Sequence, residues 1–353
     1  MIKGFLMGSA DIVPGVSGGT MALITGIYDR LIGAIRSFDT AAIKHALQFN
    51  VKELFEYIHW KFLFLLLSGL VMAVLFFTRI VPLQVYMFTH PELIYGLFFG
   101  LIVGSIVLLI FEIEPQERTK KIVLPLLAGA LLGFWIVTLV PTDTSESFLF
   151  VLLSGAIAIT AMILPGISGS YLLLILKKYD FILSQLGALG GSDTVEAFLN
   201  LLPFGLGAIA GLVIFSRVLS WLLKNYNTIT IAVLIGFLIG SLYVIWPFQE
   251  REYQTIIKEV EEVDANSERV KELHERGSEP NLPEYQRLAA GMNTPLDGLV
   301  KIETVDRKLI KSRPFIPGVT DLDVSEISVP EGVGGMGGGL VLIFVISYLR
   351  KHE

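Results

Sequence analysis

Two short segments combine the residue types needed to bind an anion. The first reads Pro14-Gly-Val-Ser-Gly-Gly-Thr20 and the second reads Pro165-Gly-Ile-Ser-Gly-Ser170. Proline and glycine interrupt a helix, and the half-helix that restarts after the break presents free backbone N–H groups at its N-terminus. These groups, the helix dipole and the nearby hydroxyls favour an anionic ligand. The residues predicted to bind phosphate here are Ser17, Gly18, Gly19, Thr20, Ser168, Gly169 and Ser170.

The two segments belong to an internal repeat that relates Pro14 to Pro165, a shift of 151 positions. Ten of the twenty residues from 10 to 29 are identical to their counterparts in 161–180. Tight packing by small residues would explain either segment alone. A duplicated helix break inside apolar sequence is instead typical of transporter binding sites. The repeat therefore favours a binding role for both segments.

Three charged residues accompany the breaks. Arg79 and Arg217 occupy matching positions near the ends of two apolar segments. A guanidinium in such a position can bind phosphate through two hydrogen bonds, or it can extend only to the membrane surface. Asp11 lies inside the first break, and Met162 replaces it in the second. A carboxylate in such a position is costly and usually functional. We predict that both arginines neutralise phosphate and that Asp11 couples or gates transport, with capping of the half-helix as its alternative role.

The elements that position these residues are membrane helices. The chain has 353 residues, 53% of them hydrophobic, and a mean hydropathy of +0.67. Several apolar stretches reach the roughly 20 residues that span a bilayer. We predict an all-α polytopic membrane protein with broken or re-entrant hairpins at about 5–29 and 148–188. The predicted spans are 62–80, 86–111, 121–140, 200–223, 228–247 and 333–349.

Each predicted repeat contains one hairpin and three spans. Because three is an odd number of membrane crossings, we expect the second repeat to have the opposite orientation in the membrane from the first. Loop 30–61, loop 112–121 and the C-terminus carry lysine and arginine, whereas loop 141–147 carries Asp143 and Glu146 only. The positive-inside rule places the first three in the cytoplasm and the last outside, in agreement with inversion. The predicted units are repeat 1 at 1–140, repeat 2 at 148–248 plus 333–353, and a hydrophilic extracytoplasmic insertion at 249–332.

The insertion has 11 basic and 18 acidic residues and so accounts for the whole negative net charge of −6, since the rest of the chain is close to neutral. Ile256, Val260 and Val263 follow helical spacing, so we predict a helix over 251–276 with loops after it. We expect a partly ordered surface insertion, with a dedicated docking module as the alternative.

No catalytic apparatus is expected. The chain has no cysteine, and its five histidines are scattered without a zinc-binding pattern. Both breaks contain a Gly-x-Ser-Gly pattern of the kind used by intramembrane serine proteases, but no histidine lies securely within a span to activate the serine. We therefore predict a non-enzymatic protein with no catalytic residue, no metal, no cofactor beyond a coupling proton or sodium ion, and no nucleic-acid partner.

The chain resembles the PopT-type membrane proteins in two places. Their opening is similar to Met7-Gly-Ser-Ala-Asp-Ile-Val-Pro-Gly-Val-Ser-Gly-Gly-Thr20 followed by Gly26-Ile-Tyr28, and their internal copy is similar to Leu164-Pro-Gly-Ile-Ser-Gly-Ser170. The resemblance covers about 1–248 and the final span, but not 249–332. It implies a bacterial cytoplasmic-membrane flippase that returns undecaprenyl phosphate, or a related polyprenyl phosphate, from the outer to the cytoplasmic leaflet. There the lipid is reused for peptidoglycan and other envelope precursors. The alternative from the residues alone is a secondary transporter of a small soluble anion.

Overall fold

The computed structural model describes residues 1–13, 16–116, 120–140, 144–191, 194–276, 281–289, 299–318 and 327–351. Pro14, Gly15, Arg118 and Asp143, on which parts of the sequence argument rest, lie outside these ranges. The described residues form mostly helices together with one small sheet.

Each predicted break separates two short helices. The first hairpin consists of α1 (Ile2–Asp11) and α2 (Gly18–Ile24), and α3 (Tyr28–Arg36), α4 (Thr40–Leu47) and α5 (Val51–Tyr57) follow it. The second hairpin consists of α10 (Phe148–Ile163) and α11 (Gly169–Ile175), followed by α12 (Tyr179–Ala188). The region 30–60, where sequence spacing predicts one or two amphipathic helices, thus contains three short ones.

Among the described residues, five helices are long and apolar enough to cross a membrane, which makes this a multi-pass membrane protein. They are α6 (Trp60–Arg79), α8 (Pro91–Glu112), α13 (Thr194–Asn225), α14 (Asn227–Ile245) and α16 (Val329–Lys351). The short helix α7 (Leu83–Thr89) precedes α8, so the predicted span 86–111 is interrupted before Pro91. The predicted span 121–140 forms the shorter helix α9 (Lys120–Val137).

Helix pairing follows the repeat in the sequence. Helix α1 packs on α6, and its counterpart α10 packs on α13. The later helices exchange partners, because α8 packs on α16 while α9 packs on α14. Glycines permit the close approach: a Cβ at Gly100 of α8 would clash with the Met336 carbonyl of α16, and one at Gly236 of α14 would clash with the Leu126 carbonyl of α9. The two halves of the chain are therefore interlocked.

The insertion contains a sheet, so the prediction of an all-α protein is wrong there. Strands β1 (Gln249–Asp264), β2 (Glu284–Leu288) and β3 (Leu299–Pro314) form an antiparallel sheet in the order β1-β3-β2, and helix α15 (Glu268–Arg276) follows β1. Gln249 pairs with Pro314 and Asp264 with Leu299 at the two ends of the β1–β3 ladder.

The prediction of a helix over 251–276 is wrong for the part that forms β1, up to Asp264, and is correct only for α15. The segment is rich in β-branched residues (Thr255, Ile256, Ile257, Val260 and Val263), which fit a pleated strand better than a helix. Pairing with the distant strand β3 then supplies the backbone hydrogen bonds that a helix would have made within itself. The loops expected after residue 276 contain β2 and β3.

Hydrogen bonds and an ion pair join the insertion to the membrane helices. The Trp246 indole N–H donates to the Phe315 carbonyl at 2.8 Å, and the Asn281 side-chain amide donates to the Phe88 carbonyl at 2.7 Å. Arg251 of β1 lies 3.4 Å from the Glu92 carboxylate in the first turn of α8, and both side chains are buried. Glu92 thus helps to hold the insertion onto α8.

Candidate functional site

The first break is closed by its own side chains. Ser17 is the N-cap of α2, and its Oγ accepts the Gly19 N–H at 3.1 Å. The Asp11 Oδ1 atom accepts the Gly18 N–H at 2.6 Å. The capping role for Asp11 is therefore present, and its carboxylate occupies the place where an anionic ligand would meet the half-helix.

The two breaks contact each other. The Thr20 hydroxyl accepts the Gly166 N–H at 2.9 Å, and the Ser17 hydroxyl lies 3.2 Å from the Leu164 carbonyl. The Tyr28 hydroxyl donates to the Ile163 carbonyl at 3.2 Å. Side chains of the first break and of Tyr28 thus satisfy polar backbone groups of the second break, as apolar surroundings require.

Glycines allow the backbones to come this close. A Cβ on Gly18 would lie 2.5 Å from the Asp11 carboxylate, and a Cβ on Gly19 would lie 2.6 Å from the Ile163 carbonyl oxygen. In the second break, a Cβ on Gly169 would lie 2.5 Å from the Ala158 carbonyl oxygen. Backbone atoms therefore require glycine at Gly19 and Gly169, whereas a side chain at Gly18 would have to displace the Asp11 carboxylate.

The second break is more open than the first. Ser168 is half-buried and Ser170 is exposed, whereas Ser17 and Thr20 are buried. The two hydroxyls of Ser168 and Ser170 lie 2.9 Å apart. Within the described part of the chain, Ser168 makes no side-chain cap to α11, and Met162 stands where the first break has Asp11. The start of α11 is thus more accessible than the start of α2.

The predicted arginines lie elsewhere. Arg79 is the last residue of α6 and is exposed, and the half-buried Arg217 donates to the Val213 carbonyl of its own helix at 2.8 Å. The pKa of Asp39, which begins α4, is lowered mainly by a hydrogen bond from Tyr57 and to a smaller extent by the charge of Arg217. Among the described residues, neither guanidinium contacts a break, so their phosphate role stays a prediction.

Tyr28 is a functional candidate that sequence reasoning missed. Its position suggested interface anchoring, yet it is only 2% exposed and bonds to the opposite break. The signal was present in the repeat, because Tyr28 and Asp29 are identical to Tyr179 and Asp180. Tyr28 and Asp29 also line a cavity of about 530 Å³ between the end of α2, the end of α8 and the start of α14.

The chain matches the model of the VCA0040-like, undecaprenyl phosphate translocase-like family over residues 7–263. The chain belongs to this family. The match begins before the first break and extends through the second into β1, so it contains every candidate phosphate-binding residue. The resemblance read from the two sequence motifs is thereby confirmed.

Curated members of the family are similar over most of the chain. A polyprenyl-phosphate transporter of Vibrio cholerae is 39% identical over 249 residues, covering 70% of this chain and 77% of that protein. A polyprenyl-phosphate transporter of Staphylococcus aureus is 29% identical over 263 residues, covering 70% of this chain and 85% of that protein. Both are named as transporters and neither as an enzyme, as the sequence predicted. No solved structure matches the chain.

The Thr20–Gly166 hydrogen bond yields a test of the contact between the breaks. Thr20→Val removes the acceptor and leaves a buried N–H unsatisfied, which we expect to cost about 2 kcal/mol of stability. Thr25→Val is the matched control, because Thr25 is equally buried but its hydroxyl donates to the Met21 carbonyl, which also accepts the Thr25 N–H. Denaturant unfolding in detergent should separate the two variants, and equal stabilities would show that the contact contributes nothing.

Proposed function

We propose that this protein is a flippase that moves undecaprenyl phosphate from the outer to the cytoplasmic leaflet of the bacterial cytoplasmic membrane, where the carrier serves envelope and peptidoglycan synthesis again. The observation that carries the proposal is the meeting of two duplicated helix breaks in a chain of the translocase-like family. The names of both relatives favour a lipid phosphate over a small soluble anion.

The proposed architecture is a pair of inverted repeats with re-entrant hairpins. Loop charges support inversion, and so does the exchange of partners between α8–α16 and α9–α14, which pairs a helix of each repeat with one of the other. The two breaks then approach the middle of the membrane from opposite sides. Rocking of the repeats would expose each break in turn, while the isoprenoid tail stays in the bilayer.

The two breaks have different roles in this mechanism. The open break, with Ser168, Gly169 and Ser170, receives the phosphate first, because its hydroxyls are accessible and no carboxylate caps it. The closed break takes the phosphate only after Asp11 leaves the Gly18 N–H, since two anions cannot share one donor. Binding of a proton or sodium ion to Asp11 would release that N–H, which makes Asp11 the gating residue. Arg79 and Arg217 would neutralise the head group once the repeats move.

The function is tested by reconstitution. Protein in vesicles should change the exposure of undecaprenyl phosphate on each leaflet, and an ion gradient should set the direction. Protein-free vesicles and vesicles with heat-denatured protein serve as controls. If no protein-dependent movement occurs under any proton or sodium gradient, the proposal is wrong.

The open break is tested by removing its hydroxyls. We expect Ser168→Ala with Ser170→Ala to slow transport about tenfold, because each hydroxyl can donate to a charged phosphate oxygen. Ser145→Ala with Ser184→Ala is the matched control, since both serines are exposed and lie outside the break. Initial transport rates in vesicles give the measurement, and an equal effect of both pairs would remove the open break from the mechanism.

A further inference from the structure

We propose that a groove between α1, α3 and α6 binds the phosphate head of a lipid from the adjoining leaflet. The groove has a volume of about 420 Å³. It contains no residue of either break, so this site is separate from the one described above and goes beyond the proposed transport function. The residues that carry the inference are Lys3, Arg30, Lys61, Phe62, Ile2 and Leu65.

The charge of the groove fits a phosphate. Lys3, Arg30 and Lys61 line it, and the described lining residues include no carboxylate. A smaller cavity of about 240 Å³ shares Arg30 and Lys61, and Glu56 and His59 lie along it. The three cationic side chains and the one neighbouring carboxylate give this region a net positive charge, which favours an anionic head group over a neutral one.

Arg30 is already oriented for such a contact. Its guanidinium carbon lies 4.5 Å from the centroid of the Phe62 ring, an arrangement typical of a cation–π interaction. The guanidinium carries five N–H donors in a planar fork. These donors match two phosphate oxygens in a bidentate contact, which lysine cannot make.

The remaining walls of the groove suit a lipid tail. Ile2 and Leu65 are exposed apolar side chains at its margin. The exposed Trp60 lies at the start of α6, as expected at the level of the head groups. The groove therefore places cations at head-group depth directly above an apolar, outward-facing surface.

The test is photolabelling of the full-length protein in phosphatidylcholine nanodiscs with farnesyl phosphate that carries a diazirine. Mass spectrometry should find label on residues 60–66 of α6. Arg30→Gln with Lys61→Gln should lower that labelling about tenfold, because two charged donors to phosphate are lost. Lys44→Gln with Lys52→Gln removes the same charge from exposed positions on α4 and α5 outside the groove, and it should change the labelling less than twofold.

Further arms identify the ligand. The corresponding diazirine farnesol, which has no phosphate, should not label residues 60–66, and equal labelling would overturn the proposal. Competition by undecaprenyl phosphate or by phosphatidylglycerol supports it, and the stronger competitor identifies the lipid that the groove prefers. Competition by inorganic phosphate at the same strength as by lipid would overturn it. Intact labelling in a protein that transports nothing would contradict the flippase proposal alone.

Discussion

Arg251→Met is expected to lower the free energy of unfolding by about 3–5 kcal/mol. Arg251 and Glu92 are each only 7% exposed in their side chains, and the Arg251 guanidinium also lies 4.7 Å from the centroid of the Tyr95 ring. The substitution leaves the Glu92 carboxylate buried without its counter-charge, which is the costly outcome for a buried pair. Thermal or denaturant unfolding in detergent measures the change.

Lys258→Met on the same strand is the matched control. Lys258 contacts Glu284 at 2.7 Å, but both side chains are about half exposed, so its loss should cost no more than about 1 kcal/mol. The double variant Glu92→Leu with Arg251→Met should regain much of the stability, because no charge stays buried. Equal effects of Arg251→Met and Lys258→Met would show that the insertion is not held through this pair.

Gly339→Leu is expected to cost about 3 kcal/mol and to separate α16 from α8. Any Cβ at Gly339 would clash with the Leu97 carbonyl oxygen, and backbone atoms cannot move aside without breaking the α8–α16 contact. A longer side chain therefore forces the two helices apart. Stability in detergent and a cysteine cross-link between the two helices both report the change.

The neighbouring residue gives a sharp control. Gly338 is exposed, and no atom lies within 4 Å of a Cβ built there. Gly338→Leu should therefore be neutral or slightly stabilising, because leucine is a better helix former than glycine. If Gly338→Leu destabilises as much as Gly339→Leu, helix packing is not the reason for the glycine-rich start of α16.

The helix breaks could be predicted from the sequence because their cause is local. Proline directly followed by glycine, twice at matching positions of a repeat, marks a break without knowledge of the fold, as at Pro165 and Gly166, whereas the isolated Pro125 and Pro203 lie inside helices. The contact between Thr20 and Gly166 was not predictable in the same way, since it joins residues 146 positions apart. The sequence pattern thus identified the polar residues but not the groups to which they are hydrogen-bonded in the folded protein.

The insertion shows the opposite case. Ile256, Val260 and Val263 fit helical spacing, yet their segment forms β1 because β3, which ends at Pro314, supplies a matching edge. The spacing of apolar residues cannot reveal a partner strand, although the many β-branched residues in the segment favour a strand over a helix. The arginines are a different case, because sequence gives their position along a helix but not the direction of the side chain, and Arg217 bonds to its own helix.

The exchange of partners between the halves has a consequence for biosynthesis. Helix α8 ends at Glu112, but its partner α16 begins at Val329, so more than 200 residues are synthesised between them. At roughly 5–20 residues per second, α8 waits roughly 10–40 s for that partner. During this interval its glycine-lined face is uncovered in the membrane. The order of translation therefore makes the last helix the closing step of assembly, and a ribosome that stalls before α16 would leave every earlier helix inserted but the bundle unfinished.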